Sequence, residues 1–290
     1  MEIASLLCDR GFGITIVDLS PSGLAEAKRR LEARRPSPAI TIQTDCCDVT
    51  NAMDLAVAVR LHVSRHGGMN VMVNNAGIAE EGDFRNPAEA SNWRAVVDVD
   101  LAAVVDGTRL GIDAMSGKGG GTIINVASAG GLFPMPFSPV YAAAKAGVVM
   151  FCRSIDEAVS DQDIAVRAFC PQFVDTAFVE RASGEVARVH QLRGAPPSTS
   201  GGPSPLPRGG RGVGSAPTFD ELIEATGGRL LTVGEAGLAC VENLVDKPAR
   251  SHASTALLLT TRGAKWWSFD GGAGRDGKAG QAGKEKRARL

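Results

Sequence analysis

Residues Gly121–Gly147 read GTIINVASAGGLFPMPFSPVYAAAKAG. The first part, Gly121–Ala127, is a near-continuous apolar run of the kind found in a strand covered on both faces. From Pro139 the pattern turns helical and continues to Ser160. Ser128 lies just past the strand. Tyr141 and Lys145 are i,i+4 on the helix and share a face. In an open α/β sheet the carboxyl ends of the strands face the ligand crevice, so a strand-end serine and a helix-borne Tyr/Lys pair can meet there.

The pattern repeats outward from this unit. Gly13–Asp18, Ala39–Thr44, Asn70–Asn75, Ile164–Cys170 and Ser254–Thr260 read as further strands. Leu24–Arg34 reads as a helix capped by Ser20 or Ser22, with Pro36 beyond its end. Ala52–His66 reads as a helix that stops at Gly67-Gly68. One long helix falls within Glu89–Met115, and another covers Thr232–Val245. Strands alternating with helices predict an α/β fold: a doubly wound parallel sheet in three layers, with helices on both faces.

The composition limits the function. Among 290 residues, hydrophobic types make up 44%, enough for a core. Lys+Arg is 31 against 32 Asp+Glu, so the balance gives no electrostatic case for nucleic-acid binding. Aromatics are 5%, with one tyrosine, which rules out a tyrosine-rich binding surface. Cys8, Cys46, Cys47, Cys152, Cys170 and Cys240 form no CxxC pair and read as free, mostly buried thiols of a reducing compartment. His62 and His66 are i,i+4, but no third ligand is near in sequence, so no metal is expected. No apolar run reaches the roughly 18 residues of a membrane span. The N-terminus lacks a secretory pattern, so a cytoplasmic location is expected.

Two segments depart from the alternation. Gly194–Pro217 holds seven Gly, six Pro and four Ser, and reads as a flexible insertion. Gly271–Leu290 carries six basic residues against two acidic ones and reads as a disordered basic tail. Residues 1–270 then form one domain.

The Ser/Tyr/Lys set suggests a chemistry. A free phenol titrates near ~10, too high for a base at neutral pH, and a nearby ammonium favours the phenolate. Tyr141 then takes the proton of a secondary alcohol or returns it to a ketone. Ser128 holds the substrate oxygen. Hydride passes to a nicotinamide cofactor that the protein orients.

Asn74-Asn75-Ala76-Gly77, then Ser128, then Tyr141-Ala142-Ala143-Ala144-Lys145 resemble the short-chain dehydrogenase/reductase family from Met1 to about Asp270. The resemblance makes Ser128, Tyr141 and Lys145 catalytic, with Lys145 also on the nicotinamide ribose. It places Asn75, Ala76 and Gly77 along the cofactor crevice and Asp48 and Val49 at the adenine. A helix N-cap role for Asp48, ahead of Asn51, is an alternative. Val126 and Ala127 would lie beneath the nicotinamide, and Pro171 and Thr176 match the segment that holds its carboxamide. Asp18 ends the family's second strand, where a carboxylate accepts from both ribose hydroxyls and repels a 2′-phosphate, so NAD is expected over NADP. Gly107–Met115, Pro139–Tyr141, Val166–Phe178 and Ala256–Asp270 are similar to the 15-hydroxyprostaglandin dehydrogenase branch, which oxidises lipid-like hydroxy acids. The substrate is then a small-molecule alcohol or ketone, and a homodimer or homotetramer is implied through the helices within Glu89–Met115 and Pro139–Ser160.

The sequence also departs from the family. The family's first strand and TGxxxGxG loop are missing, and Met1–Leu7 matches the helix after that loop. Gly11 and Gly13 belong to the next turn. A start upstream of Met1 is the expectation. Asp100 stands where the family has an asparagine that steadies a water in the proton relay, and an aspartate loses the amide donor. Gln172 replaces a glycine after Pro171, next to the nicotinamide. Ser138 replaces the branch's substrate-contacting glutamine, so a prostaglandin substrate does not follow. Residues 178–217 cover the family's substrate lid. The terminal Ala288-Arg289-Leu290 resembles a relaxed peroxisomal address, an alternative location. These departures leave a second reading open: a truncated or non-catalytic relative that does not hold the dinucleotide normally.

Overall fold

The computed structural model describes residues 1–88, 91–176, 184 and 230–246, together with the strand backbones 256–260, 263–268 and 272–273. Helix α1 (Glu2–Asp9) leads into β1 (Ile14–Asp18), α2 (Pro21–Arg34), β2 (Ile42–Cys46), α3 (Ala52–His66) and β3 (Val71–Asn74). Then come α4 (Trp93–Val97), α5 (Ala103–Met115), β4 (Gly121–Val126), α6 (Pro139–Ala158) and β5 (Ile164–Pro171). Helix α7 (Val233–Cys240) precedes β6 (Ala256–Thr260), β7 (Gly263–Ser268) and β8 (Gly272–Ala273).

Local chemistry sets the helix ends. Ser20 caps α2 by accepting from the Gly23 N–H at 3.1 Å, and the helix stops one residue before Arg35, which precedes Pro36. Asn51 caps α3 by accepting from the Met53 and Asp54 N–H groups. Gly67, at φ 79°, ends it in the left-handed region. Asp48 is therefore not the cap. Its carboxylate accepts instead from the N–H and hydroxyl of Thr50, which holds it below the usual carboxylate range.

Side chains of the central strands alternate between the two faces of the sheet with a period of two, and both faces are buried. Ile123, Val166, Ala168 and Cys170 pack with Val59 of α3, Val104 and Met115 of α5, and Val148 and Cys152 of α6. Ile124 and Phe169 point the other way, against Ala236 and Cys240 of α7. Helices therefore cover both faces, as an α/β sheet with apolar strands requires.

Three features differ from the sequence-based expectation. The chain does not end its sheet on a parallel last strand. β3 to β6 are parallel, but β7 returns antiparallel on β6, and β8 pairs antiparallel with β7. Gly272 and Ala273, expected in a tail, pair with Ser268 and Trp267; the rest of the tail and all of Gly194–Pro217 lie outside the described residues. The helix expected within Glu89–Met115 is described from Trp93 and is interrupted by a π-turn at Asp98–Ala102. A second π-turn, Val241–Val245, closes α7. The extra residue of a π-turn leaves no mark on hydrophobic spacing, so the sequence reads as a plain helix.

The sheet is split. β1 and β2 pair with each other, β3 to β8 form the second sheet, and among the described residues no strand pairs between β1 and β3. Side chains bridge the division: Leu7, Ile14, Leu31, Ile42 and Val241 form one buried cluster, with Val71 packed against it. A cleft of about 1250 Å³ runs along β1 and β3. Among the described residues, no helix is long and apolar enough to cross a membrane.

Candidate active site

The end of β4 holds the centre of the site. Ser128 follows the strand in extended conformation, and its Oγ accepts from the Gly130 N–H at 3.1 Å. Its side chain also hydrogen-bonds Tyr141. Tyr141, 8% exposed, sits in the first turn of α6. One turn on, Lys145 is 3% exposed and its Nζ donates to the Val126 carbonyl at 3.0 Å. That ammonium lies 5.6 Å from the centre of the Tyr141 ring. The three residues expected to meet are thus brought together by one strand end and one helix face.

Asp100 joins them from the π-turn. Its Oδ1 accepts from the Ile78 N–H at 3.0 Å and lies 3.8 Å from Lys145 Nζ. Its Oδ2 is buried without a hydrogen-bond partner among the described residues. Gly77 threads between the two: a Cβ there would stand 2.9 Å from Asp100 Oδ1 and 3.6 Å from Lys145 Nζ. This close approach is the physical reason for glycine after Asn75-Ala76.

The electrostatics differ from the expectation of a lowered phenol. Burial dominates and pushes Tyr141 upward, the Ser128 hydrogen bond pulls it back, and the Asp100 charge pushes it up again. Burial lowers Lys145, against the opposing pull of Asp100. Asp100 itself is raised to about 6 by burial, although Lys145 and the Ile78 N–H act against the shift. Burial of the ring thus favours the neutral phenol.

The expected cofactor residues divide into two groups. Asp18, Asp48, Val49, Asn75, Ala76 and Gly77 all line the cleft between β1 and β3. Asp18 ends β1, exposed, with one carboxylate oxygen accepting from the Ser20 N–H. Within that cleft, Gly77 leads to Lys145. Met1, ahead of α1, lines the same cleft; Gly11 and Gly13 also line it, in the turn from α1 into β1. Pro171 ends β5, and the Thr176 hydroxyl donates to the Val174 carbonyl at 3.2 Å; neither lines the cleft. Of the expected substrate contacts, Ser138 is buried at the N-cap of α6 without a side-chain cap bond. Gln172 has a buried Oε1 with no partner among the described residues.

Sequence reading missed several polar residues. Asn74 Nδ2 donates to Asn125 Oδ1 at 2.7 Å, and Asn125 Nδ2 donates to the Thr108 hydroxyl and to Cys152 Sγ. This buried ladder ties β3, β4, α5 and α6 beneath the site. A Cβ on Gly107 would stand only 2.2 Å from Asn74 Oδ1. The doubled asparagine was the available signal. Glu80, buried against α6, gave none. Five of the six cysteines are buried and Cys46 is exposed. His62 and His66 turn to the Thr15 hydroxyl, at 2.9 and 3.2 Å.

A sheet of mainly parallel strands between helix layers brings Ser128, Tyr141 and Lys145 together at one strand end. The family model described as short chain dehydrogenase matches residues 1–186, and the chain belongs to that family. It is 35% identical over 188 residues to the 15-hydroxyprostaglandin dehydrogenase [NAD(+)] of Macaca fascicularis, covering 63% of this chain and 66% of that protein. The chain thus spans just under two thirds of that relative's length. A D-beta-hydroxybutyrate dehydrogenase of Rhizobium meliloti is 34% identical over 148 residues, covering 50% of this chain and 56% of that protein. Among solved structures, a variant of the actinorhodin polyketide ketoreductase with NADPH superposes with a TM-score of 0.71 and 25% identity, covering 89% of this chain and 90% of the other.

Proposed function

We propose that the protein interconverts a secondary alcohol and its ketone by hydride transfer, with NAD as the partner nucleotide. The convergence of Ser128, Tyr141 and Lys145 at the end of β4 carries this reading. When bound, the nicotinamide supplies or accepts the hydride. Ser128 positions the substrate oxygen beside the Tyr141 phenol. Tyr141 moves the proton between its oxygen and that of the substrate. Lys145, anchored to the Val126 carbonyl, keeps a positive charge by the ring and steadies the phenolate as it forms. The burial of Tyr141 and Lys145 limits the access of bulk water to that proton.

Asp18 supports NAD over NADP, because a carboxylate at the strand end repels a 2′-phosphate. The prostaglandin dehydrogenases are named for NAD(+), although the ketoreductase structure holds NADPH. A hydroxybutyrate dehydrogenase among the relatives supports a hydroxy acid as the substrate class.

The split sheet favours a second reading, a relative that holds the dinucleotide poorly. Calorimetric titration with NAD and NADP separates the two. NAD binding, combined with turnover of a hydroxy acid that Tyr141→Phe reduces at least ~100-fold, supports the enzyme. Absence of binding to either nucleotide supports the second reading.

A further inference from the structure

Helix α6 carries Tyr141 and Lys145 but has no cap of its own. The Ser138 side chain makes no cap bond, and Pro139 has no N–H to offer. The next two donors, the N–H groups of Val140 and Tyr141, both point at a single atom from elsewhere in the chain. Glu80 Oε2 accepts from each at 2.9 Å. Glu80 is only 4% exposed, and its Oε1 is buried without a hydrogen-bond partner among the described residues. A carboxylate is costly there, and its compensation comes from the α6 N-terminus, where two donors and the helix dipole favour negative charge.

The loop around Glu80 is tied at both ends to the site. Ile78 N–H donates to Asp100 Oδ1, beside Lys145. Asn92 fixes the middle: its Oδ1 accepts from the Glu81 N–H at 2.8 Å and its Nδ2 donates to the Ala79 carbonyl at 2.9 Å. Residues 78–81 therefore touch the Asp100 side of the site at one end and the amide of Tyr141 itself at the other.

We infer that Glu80 is a positioning residue for Tyr141: its carboxylate docks the first turn of α6 onto the loop after β3 and so sets where the phenol stands relative to Ser128. It acts through the backbone and does not touch the reacting atoms. The inference rests on the proposed function only for its kinetic readout. An independent readout exists because Tyr141 is the one tyrosine of the chain, so the ring NMR resonances of isotope-labelled tyrosine report this residue alone, in the folded chain at neutral pH. The groups that face the phenol are Ser128, Asp100, Cys170 and the Lys145 ammonium.

The test uses the full chain with Glu80→Gln, Glu80→Ala and Glu80→Asp. The amide oxygen of Glu80→Gln still accepts both bonds, so kcat and the Tyr141 ring resonances should stay close to the parent. Glu80→Ala should lower kcat about ten- to a hundredfold with little change in cofactor KM, and should shift the Tyr141 ring resonances while circular dichroism reports a folded chain. Glu80→Asp, one methylene short, should fall between them and serves if the alanine variant does not fold. Parental kcat and ring resonances in the alanine or aspartate variant, even with a lowered Tm, would overturn the inference, as would a glutamine variant as impaired as the alanine one. If the parent has no dehydrogenase activity, the proposed function fails on its own and the Tyr141 ring resonances still decide the role of Glu80.

Discussion

Asp100 Oδ1 faces Lys145 Nζ across 3.8 Å, with the two side chains 0% and 4% exposed. The pair binds a buried negative charge to the buried positive charge on which a phenolate depends. Asp100 also pushes the Tyr141 phenol upward, and so restrains it in the role of base proposed for it. Asp100→Asn should raise kcat for alcohol oxidation about three- to tenfold, since one pKa step is about a factor of ten. Asp100 is raised to about 6, so the advantage should be full above that pH and shrink below it, where the parent's carboxyl is protonated. A pH–rate profile of both proteins checks this, and a constant ratio across the range would remove Asp100 as the titrating restraint.

Gly77 should tolerate no side chain. A Cβ at 2.9 Å from Asp100 Oδ1 and 3.6 Å from Lys145 Nζ pushes on a buried carboxylate that the Ile78 N–H holds in place. Gly77→Ala should cost about 1–3 kcal/mol of stability in a denaturant titration, because the Asp100 carboxylate must leave its place between the Ile78 N–H and Lys145. Unchanged stability would mean that the loop after β3 yields easily.

Asp18 should govern the choice of nucleotide. With its carboxylate replaced in Asp18→Asn, the repulsion of a 2′-phosphate is lost. The ratio of kcat/KM for NAD over NADP should fall by about tenfold or more, since about 1.4 kcal/mol corresponds to one decade. A ratio that does not move would place the selection elsewhere.

The His62–His66 pair should make the protein acid-labile. Burial, with the neighbouring His66 charge, lowers His62 to about 4, and burial likewise lowers His66. The folded state therefore prefers neutral rings, and its stability is full above the ordinary histidine value of 6.5 and is lost as pH falls toward 4. The loss from His62, discounted for solvent screening of a half-buried ring, is on the order of 2 kcal/mol. Thermal melts from pH 7 to pH 4 should show a falling Tm that His62→Gln flattens; a parallel fall in the variant would assign the lability to other groups.

The features legible along the chain are those with local or periodic causes. Apolar runs bounded by turns marked the strands, and Ser20 and Gly67 had cap chemistry that works over three or four residues, whereas the cap of α3 was sought at Asp48 and falls to Asn51. The Ser128, Tyr141 and Lys145 spacing was legible because one strand end and one helical turn fix it. Features that depend on distant partners came only with packing. Nothing local could put Glu80 beneath the amide of Tyr141, insert the π-turn that sets Asp100 against Lys145, or fold β7 back on β6. Packing also set the sign of the phenol's shift: charge alone argued for lowering, but burial of Tyr141, which no sequence pattern reports, outweighs it.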